Sequence, residues 1–283
     1  PSITSFLPIF GPTQGGVEVT VAGSNFCDAQ GSGDVEVGPN TGTIIQWSDT
    51  EIRFLLPAGE GANLAVRVTR DDGQSVAAIS TFSYSAPSIS SISSEGGGFP
   101  AAGGVTITVA GSNFGSEAGG GITVAGTPVT PLSWSHTQAT FTLTQGTGAN
   151  IPVVVIAGGQ SGSPATFSYD PPQISGIAPA SFPTAGGAAT LSGSNFGTVQ
   201  GNLAVNGTQV TDILSWSNTE IQFLMPPGSG TVPVIVTAGG QQSIPMMVNY
   251  NEPVISSIEP SHGPTQGGTL VTLTGTDFGT AGT

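Results

Sequence analysis

Apolar and polar residues alternate strictly in several stretches of this chain. In Val17-Glu18-Val19-Thr20-Val21 and in Val105-Thr106-Ile107-Thr108-Val109, every second side chain is apolar and its neighbours are Thr or Glu. A period of two places the apolar side chains on one face of an extended backbone, so each stretch predicts a half-buried β-strand. Trp47 to Phe54 reads as an aromatic-bearing strand, a Ser-Asx-Thr turn and an Ile/Phe strand; Trp216 to Phe223 repeats it, and Trp134 to Phe141 is a looser copy. Val66-Arg67-Val68, Val153-Val154-Val155 and Val234-Ile235-Val236 each run into a turn, at Asp72-Gly73, Gly158-Gly159 and Gly239-Gly240. Each predicts a hairpin into a closing strand that ends at Tyr84, Tyr169 or Tyr250. The density of Gly, Pro, Thr and Val argues against helices. About seven short strands with turns between them predict an antiparallel β-sandwich.

The strands recur because the chain repeats itself. Gly-Ser-Asn-Phe stands at Gly23 to Phe26, Gly111 to Phe114 and Gly193 to Phe196, and Gly-Thr-Asp-Phe at Gly275 to Phe278. The phenylalanines are 88, 82 and 82 residues apart (114−26, 196−114, 278−196). A period this long is a small domain in tandem, not a solenoid turn. The expected division is repeat 1 at 1–86, repeat 2 at 87–170, repeat 3 at 171–252 and a partial repeat 4 at 253–283. Each opens with Pro-x-Ile, and Gly-Gly precedes the alternating strand. At the four-residue motif, Gly and Asn are expected to take the left-handed backbone and Phe to plug the end of the core. Repeat 3 is one residue shorter between Gly-Gly and this corner, so its strand is expected to start later or to carry an irregularity. Each closing Tyr is followed within three residues by the next opening Pro: Tyr84 to Pro87, Tyr169 to Pro172, Tyr250 to Pro253. Such a junction is too short for a flexible tether and proline stiffens it. The units are therefore expected to stand end to end as a rod, on the order of 100 Å long at about 3.3 Å per strand residue plus loops.

Composition narrows the function. Net charge is −14, lysine is absent, and the three arginines, Arg53, Arg67 and Arg70, all lie in repeat 1. Repeats 2 to 4 offer phosphate nothing basic, which argues against nucleic acid and against acidic lipid. No apolar run is long enough to span a bilayer, so no membrane insertion is expected in this segment. The single cysteine, Cys27, has no intrachain partner and stands where Gly115, Gly197 and Gly279 stand in the other repeats. It is read as a free thiol, buried and inert, as an interchain crosslink, or as a relic.

Little points to chemistry. His136 and His262 lie in different repeats with no partner at ligand spacing, so neither metal nor cofactor is expected. Serines lack a nucleophile elbow and Gly119-Gly120-Gly121 lacks a lysine, so no catalytic residue is assigned. Asp28, Asp34 and Glu36, or Asp71 and Asp72, could approach calcium, but neither set recurs, and solvated loop acids account for them. Trp47, Trp134 and Trp216 are candidates for stacking on sugars, against a core-packing role that their recurrence with the strands favours. Asn206-Gly207-Thr208 is an N-glycosylation sequon at an expected turn, and Asn25-Phe26-Cys27 is a poorer one.

The Pro-x-Ile opening, Gly-Pro-Thr-Gln-Gly-Gly at Gly11 to Gly16 and Gly263 to Gly268, the Gly-Ser-Asn-Phe corner and Trp-Ser-Asp-Thr-Glu-Ile resemble the IPT/TIG family. That resemblance implies immunoglobulin-like sandwiches shared with plexins and certain transcription factors. Tandem copies without lysine look like its extracellular members: cell-surface receptors, adhesins and secreted polysaccharide-active enzymes. Many eukaryotic surface members carry disulfides within the unit, and this chain departs from them in having only Cys27. The expected function is structural and non-enzymatic: a stiff extracellular rod or filament shaft, glycan-coated or not, its partners being neighbouring repeats and other copies. The alternative is an adhesin stalk or a carbohydrate-binding accessory region. Intracellular dimerisation beside a DNA-binding module would need a basic neighbour that this segment does not show.

Overall fold

The computed structural model describes residues 1–279. Among them the chain is all-β apart from a 3-10 turn at Glu117–Gly119. Its contacts gather it into two compact units: Pro1–Gly97 with Val105–Leu143 and Asn150–Phe167, and Gly98–Gly104 with Thr144–Ala149 and the chain from Ser168 onward.

In the first unit, repeat 1 is a two-sheet sandwich. One sheet runs, in spatial order, Ser2–Leu7, Glu18–Ser24, Glu51–Leu55, Thr43–Trp47, and is antiparallel throughout. The other runs Phe10–Gly11, Ser75–Tyr84, Leu64–Thr69, Asp34–Val37, Asn40–Thr41. Phe10–Gly11 pairs in parallel with Ser75–Tyr84, so the opening segment serves both sheets in turn. Alternation turns Val19, Val21, Ile52 and Phe54 inward from one sheet, and Val35, Val37, Val66, Val68 and Phe82 from the other. Each such burial is worth about 1.5–3 kcal/mol. The strands of repeat 2 follow the same plan: Ser88–Ser94, Thr106–Ser112, Gln138–Thr142 and Pro131–Trp134 in one sheet, Thr127–Val129, Gly120–Val124 and Ile151–Ala157 in the other.

In the second unit, repeat 3 pairs Gln173–Ala178, Gly187–Ser194, Glu220–Met225 and Ile213–Trp216 in one sheet. Ser181–Phe182, Met246–Tyr250, Thr231–Ala238, Asn202–Val205 and Thr208–Gln209 make the other. Phe182, Leu191, Phe196, Ile221, Phe223, Val234 and Val236 fill the space between them. From repeat 4 the described part is a two-stranded ladder, Val254–Glu259 with Thr272–Thr276.

Three local expectations are corrected. First, the hairpin leads into one long closing strand in repeat 1 alone, Ser75–Tyr84. In repeats 2 and 3 the strand after the turn is two residues, Gln160–Ser161 or Gln241–Gln242, and the closing strand is a separate Ala165–Phe167 or Met246–Tyr250. Repeat 2 thus closes at Phe167, with Tyr169 beyond the strand. Second, the missing residue in repeat 3 lengthens its ladder: pairing begins at Gly187 with Met225, where the equivalent pairs in repeats 1 and 2 begin one place later, at Glu18 and Thr106. In repeat 1 both Gly16 and Val17 bond to Leu56, whereas in repeat 3 Gly187 alone stands opposite Met225. Third, at the corner only Asn takes the left-handed backbone, with φ of 59°, 60° and 59° at Asn25, Asn113 and Asn195. The corner glycines are bare for a different reason: a Cβ on Gly111 would lie 2.8 Å from the Phe114 ring and collide with the Ser88 carbonyl oxygen.

Candidate functional site

The feature that recurs with the fold is the meeting of one repeat with the next, and the corner asparagine makes it. In the first unit, the Thr13 N–H donates to Asn113 Oδ1 at 3.2 Å. In the second unit, the Ala101 N–H donates to Asn195 Oδ1 at 3.0 Å and the Thr184 N–H to Asp277 Oδ1 at 2.9 Å. Thr13, Ala101 and Thr184 are all buried, and each follows the proline of its opening loop (Pro12, Pro100, Pro183). Left-handed backbone at the Asn is what aims its side chain off the end of its own sandwich. A buried backbone donor must find a partner, and here that partner belongs to the following repeat.

Glycine lets the backbones close in around this bond. In the first unit, Glu60 Oε2 accepts from the Ser116 N–H and Glu60 Oε1 from its hydroxyl, each at 3.0 Å. Thr13 Oγ1 and His136 Nδ1 share a further bond at 3.2 Å. Gly61 lies so near Gly158 that a Cβ on the latter would be 2.7 Å from Gly61 Cα. In the second unit, Gly148 and Gly239 repeat that approach at 2.6 Å, and a Cβ on Gly197 would be 2.6 Å from Thr147 Cγ2. Gln241 Nε2 adds a bond to the Tyr169 carbonyl at 3.0 Å.

The tryptophans belong to the same corners. Each is half-buried, and its indole N–H donates to a corner carbonyl: Trp47 to Phe26 at 3.0 Å, Trp134 to Gly115 at 3.2 Å, Trp216 to Phe196 at 3.1 Å. Trp134 and Phe114 have ring centroids 6.1 Å apart, Trp216 and Phe196 6.5 Å. The closing tyrosines lock the opposite ends: Tyr84 donates to the Pro57 carbonyl at 2.8 Å, Tyr169 to Thr144 at 2.9 Å, Tyr250 to Pro226 at 2.6 Å. Burial pushes the Tyr84 hydroxyl up to about 12, and raises those of Tyr169 and Tyr250 as well.

The remaining candidates lie apart. Cys27 is exposed, so the buried thiol expected from sequence is corrected; its N–H donates to Asp49 Oδ1 at 3.0 Å. Asn206 and Gly207 form a turn between Asn202–Val205 and Thr208–Gln209 with φ of 51° and 76°. Asn206, Gly207 and Thr208 are exposed, and Asn206 and Thr208 stand on the rim of a hollow of about 700 Å³ whose wall includes Gln209, Asp212, Met225 and Tyr250. The three arginines pair with acids inside repeat 1: Arg53 with Glu18, Arg67 with Glu36 at 4.0 Å and Arg70 with Asp72 at 3.1 Å. Asp71 accepts from both the hydroxyl and the N–H of Ser32, and these bonds hold its carboxyl below the usual range. Among the described residues no three His, Cys, Asp or Glu side chains converge as a metal cluster would, and no helix is long and apolar enough to cross a membrane. Sequence reading missed the joint: it gave Asn113 and Asn195 a turn role alone. The available signal was that Asn or Asp keeps this place in all four copies.

The IPT/TIG domain family matches the chain four times, at residues 1–84, 87–169, 172–251 and 253–283. The chain belongs to the IPT/TIG family. Human Fibrocystin-L is 26% identical over 288 residues, which takes in 98% of this chain and 6% of that protein. This IPT/TIG chain thus spans a small part of that relative's length. Among solved structures, a protein crystallised with a xylogluco-oligosaccharide is similar with a TM-score of 0.43 and 20% identity, over 87% of this chain and 59% of the other. The full extracellular region of plexin A4 is similar with a TM-score of 0.31 and 15% identity, over 93% of this chain and 26% of the other. A surface glycan-binding protein of Prevotella bryantii is similar with a TM-score of 0.40 and 16% identity, over 59% and 42%.

Proposed function

We propose that this chain is a non-catalytic extracellular spacer, a stiff run of IPT/TIG units that holds its neighbours apart. One observation carries the reading: at three successive junctions the side chain at the same corner position, Asn113, Asn195 or Asp277, takes the equivalent buried amide of the repeat before it. Leaving such an amide unpartnered costs about 1–3 kcal/mol, so each joint resists opening. Junctions this short, two residues between each closing Tyr and the next opening Pro, leave no slack for the units to swing widely. A lysine-free surface of net charge −14, with its arginines already paired, suits a self-repelling exterior and not a phosphate-binding one. Asn206, exposed in its turn, is the point at which a sugar coat would attach in a eukaryotic secretory route.

Small-angle scattering of the whole chain tests the spacer. A maximum dimension on the order of 100 Å, as expected from strand rise and unit count, with a cross-section of one sandwich, supports it. A compact or freely jointed particle overturns it. For the sugar, secretion from a eukaryotic host with and without Asn206→Gln should show a glycan-sized mass difference; equal masses remove the attachment site.

A further inference from the structure

Each joint is made by two faces: the base of one repeat, with its Pro loop and Gly loop, and the leading face of the next. The base is common to repeats 1, 2 and 3. The leading face is not, and the difference falls at the positions where the neighbouring backbone is closest.

Ladder register fixes which residues correspond. Val35 opposite Val68, Ile122 opposite Val155 and Leu203 opposite Val236 hold the same place in their sheets. Three residues beyond the second member of each pair the chain enters its turn, at Asp71, Gly158 and Gly239; the turn of repeat 1 is one residue longer, Asp71-Asp72-Gly73 against two glycines. Directly after the corner phenylalanines stand Cys27, Gly115 and Gly197. In repeats 2 and 3, then, both positions are glycine, with φ of 53° and 56° at Gly158 and Gly239, and 69° and 74° at Gly115 and Gly197. The preceding repeat lies against all four. At Gly158 and Gly239 what lies there is backbone, Gly61 and Gly148, which cannot turn aside as a side-chain tip can. Repeat 1 keeps the corner asparagine, Asn25, with φ 59°, but fills both bare positions with side chains. Asp71 is further committed: its Oδ1 takes the Ser32 N–H at 2.8 Å and the Ser32 hydroxyl, so its carboxylate is braced across the face.

We infer that the leading face of repeat 1 does not seat the base of an IPT/TIG unit. The glycine-seated series runs downstream from repeat 1, and a unit joined ahead of it would hang on the connecting residues alone, as a hinge. The corner asparagine is common to both kinds of face; the two glycines distinguish a seat from a hinge. This rests on the joint invoked for the spacer, but concerns which faces can form it.

The test adds a copy of residues 171–252 ahead of Pro1 of the whole chain, so that Glu252 leads into Pro1 as it leads into Pro253. A second protein carries Cys27→Gly and Asp71→Gly in the same fusion. The readout is amide hydrogen exchange at Thr184 of the added copy, together with ¹⁵N relaxation of that copy. Exchange at the rate of an exposed amide and independent tumbling are expected in the first protein. In the second, exchange should slow by at least about tenfold, the factor for a bond worth ~1.4 kcal/mol, and the copy should tumble with its neighbour. Protection already present in the first protein, or none gained in the second, overturns the inference. In the unfused chain, Gly158→Asp should speed exchange at Thr13 about tenfold by the same reckoning. Gly159→Asp, at the same turn with φ 79° and open space beyond its Cβ, should leave it unchanged; equal effects would mean that turn strain, not seating, is being read. Rapid Thr13 exchange in the unaltered chain would instead overturn the spacer reading itself.

Discussion

At the scale of single residues, two small features decide how tightly a repeat is built. The corner glycine lets the opening strand and the phenylalanine close on one point, so Gly111→Ala is expected to destabilise by about 1–3 kcal/mol, the usual cost of overpacking; a fall in urea midpoint at unchanged slope would show it. The closing tyrosine ties the Gly loop to the sheet. Its folded value, raised to about 12 from 10.0, means that the folded state resists ionisation. The associated stability is fully present below pH 10, since the unfolded chain ionises first, and is lost as pH rises through about 12. Alkaline titration followed by tyrosinate absorbance should show late ionisation in the folded chain, and Tyr84→Phe should remove the share of it that belongs to Tyr84 and leave the raised Tyr169 and Tyr250. Asp71 runs the other way. Its folded value is lowered from 3.8 by the Ser32 bonds, so its contribution is present above pH 3.8 and is lost as pH falls through the lower folded value. Protection of the Ser32 amide, its exchange taken relative to the intrinsic rate at each pH, should therefore fall on acidification, and Asp71→Asn should remove that dependence.

At the scale of elements, the opening strand follows a rule the alternation did not reveal. Its ladder shifts register between Ile3 and Ser5, Ile89 and Ser91, Ile174 and Gly176, and Ile255 and Ser257. A bulge at one place in all four copies explains why a hydroxyl residue follows each opening isoleucine. Thr4 donates to the Ala22 carbonyl at 2.9 Å, Ser90 to Ala110 at 3.1 Å and Ser256 to Thr274 at 2.9 Å, so the bulge residue itself ties the strand down. Ser90→Ala should cost about 0.5–1 kcal/mol, the net worth of one such bond, measurable as a lowered melting temperature. The edge strands Thr43–Trp47, Pro131–Trp134 and Ile213–Trp216 also carry bulges, which leave Ile45, Leu132 and Leu214 exposed. Bulges bend an edge away from pairing with other chains.

At the scale of the whole molecule, the joint sets how far one repeat constrains the next. Asn113→Ala strips the partner from the buried Thr13 amide, and the loss is expected at about 1–3 kcal/mol. Exchange at Thr13 should quicken while exchange at Val109, deep in the repeat 2 sheet, should not. Equal acceleration at both would make Asn113 a folding residue and not a joint residue.

The sandwich itself was legible because a strand declares its inner face every second residue: Val19, Val21, Ile107 and Val109 could be assigned to the core from the alternation alone. Repetition did the rest, since Phe26, Phe114 and Phe196 recur at one place and all are buried. Periodicity speaks only of faces, however, and is silent on what stands across from them. It could not say that the corner glycines are bare for a phenylalanine ring, or that Gly158 is bare for Gly61. Nor could it say that the asparagine between a glycine-serine pair and a phenylalanine serves the repeat before it. Those asparagines, and Asp277 in the fourth copy, are paired across about a hundred positions of sequence (113−13, 195−101, 277−184), and local propensity gives such a pair no mark. Strand, sheet and repeat can be read along the chain, because burial of alternating side chains is a local pattern; the purpose of the glycines and the asparagine emerges only on folding, because a close approach exists only once two distant backbones have met.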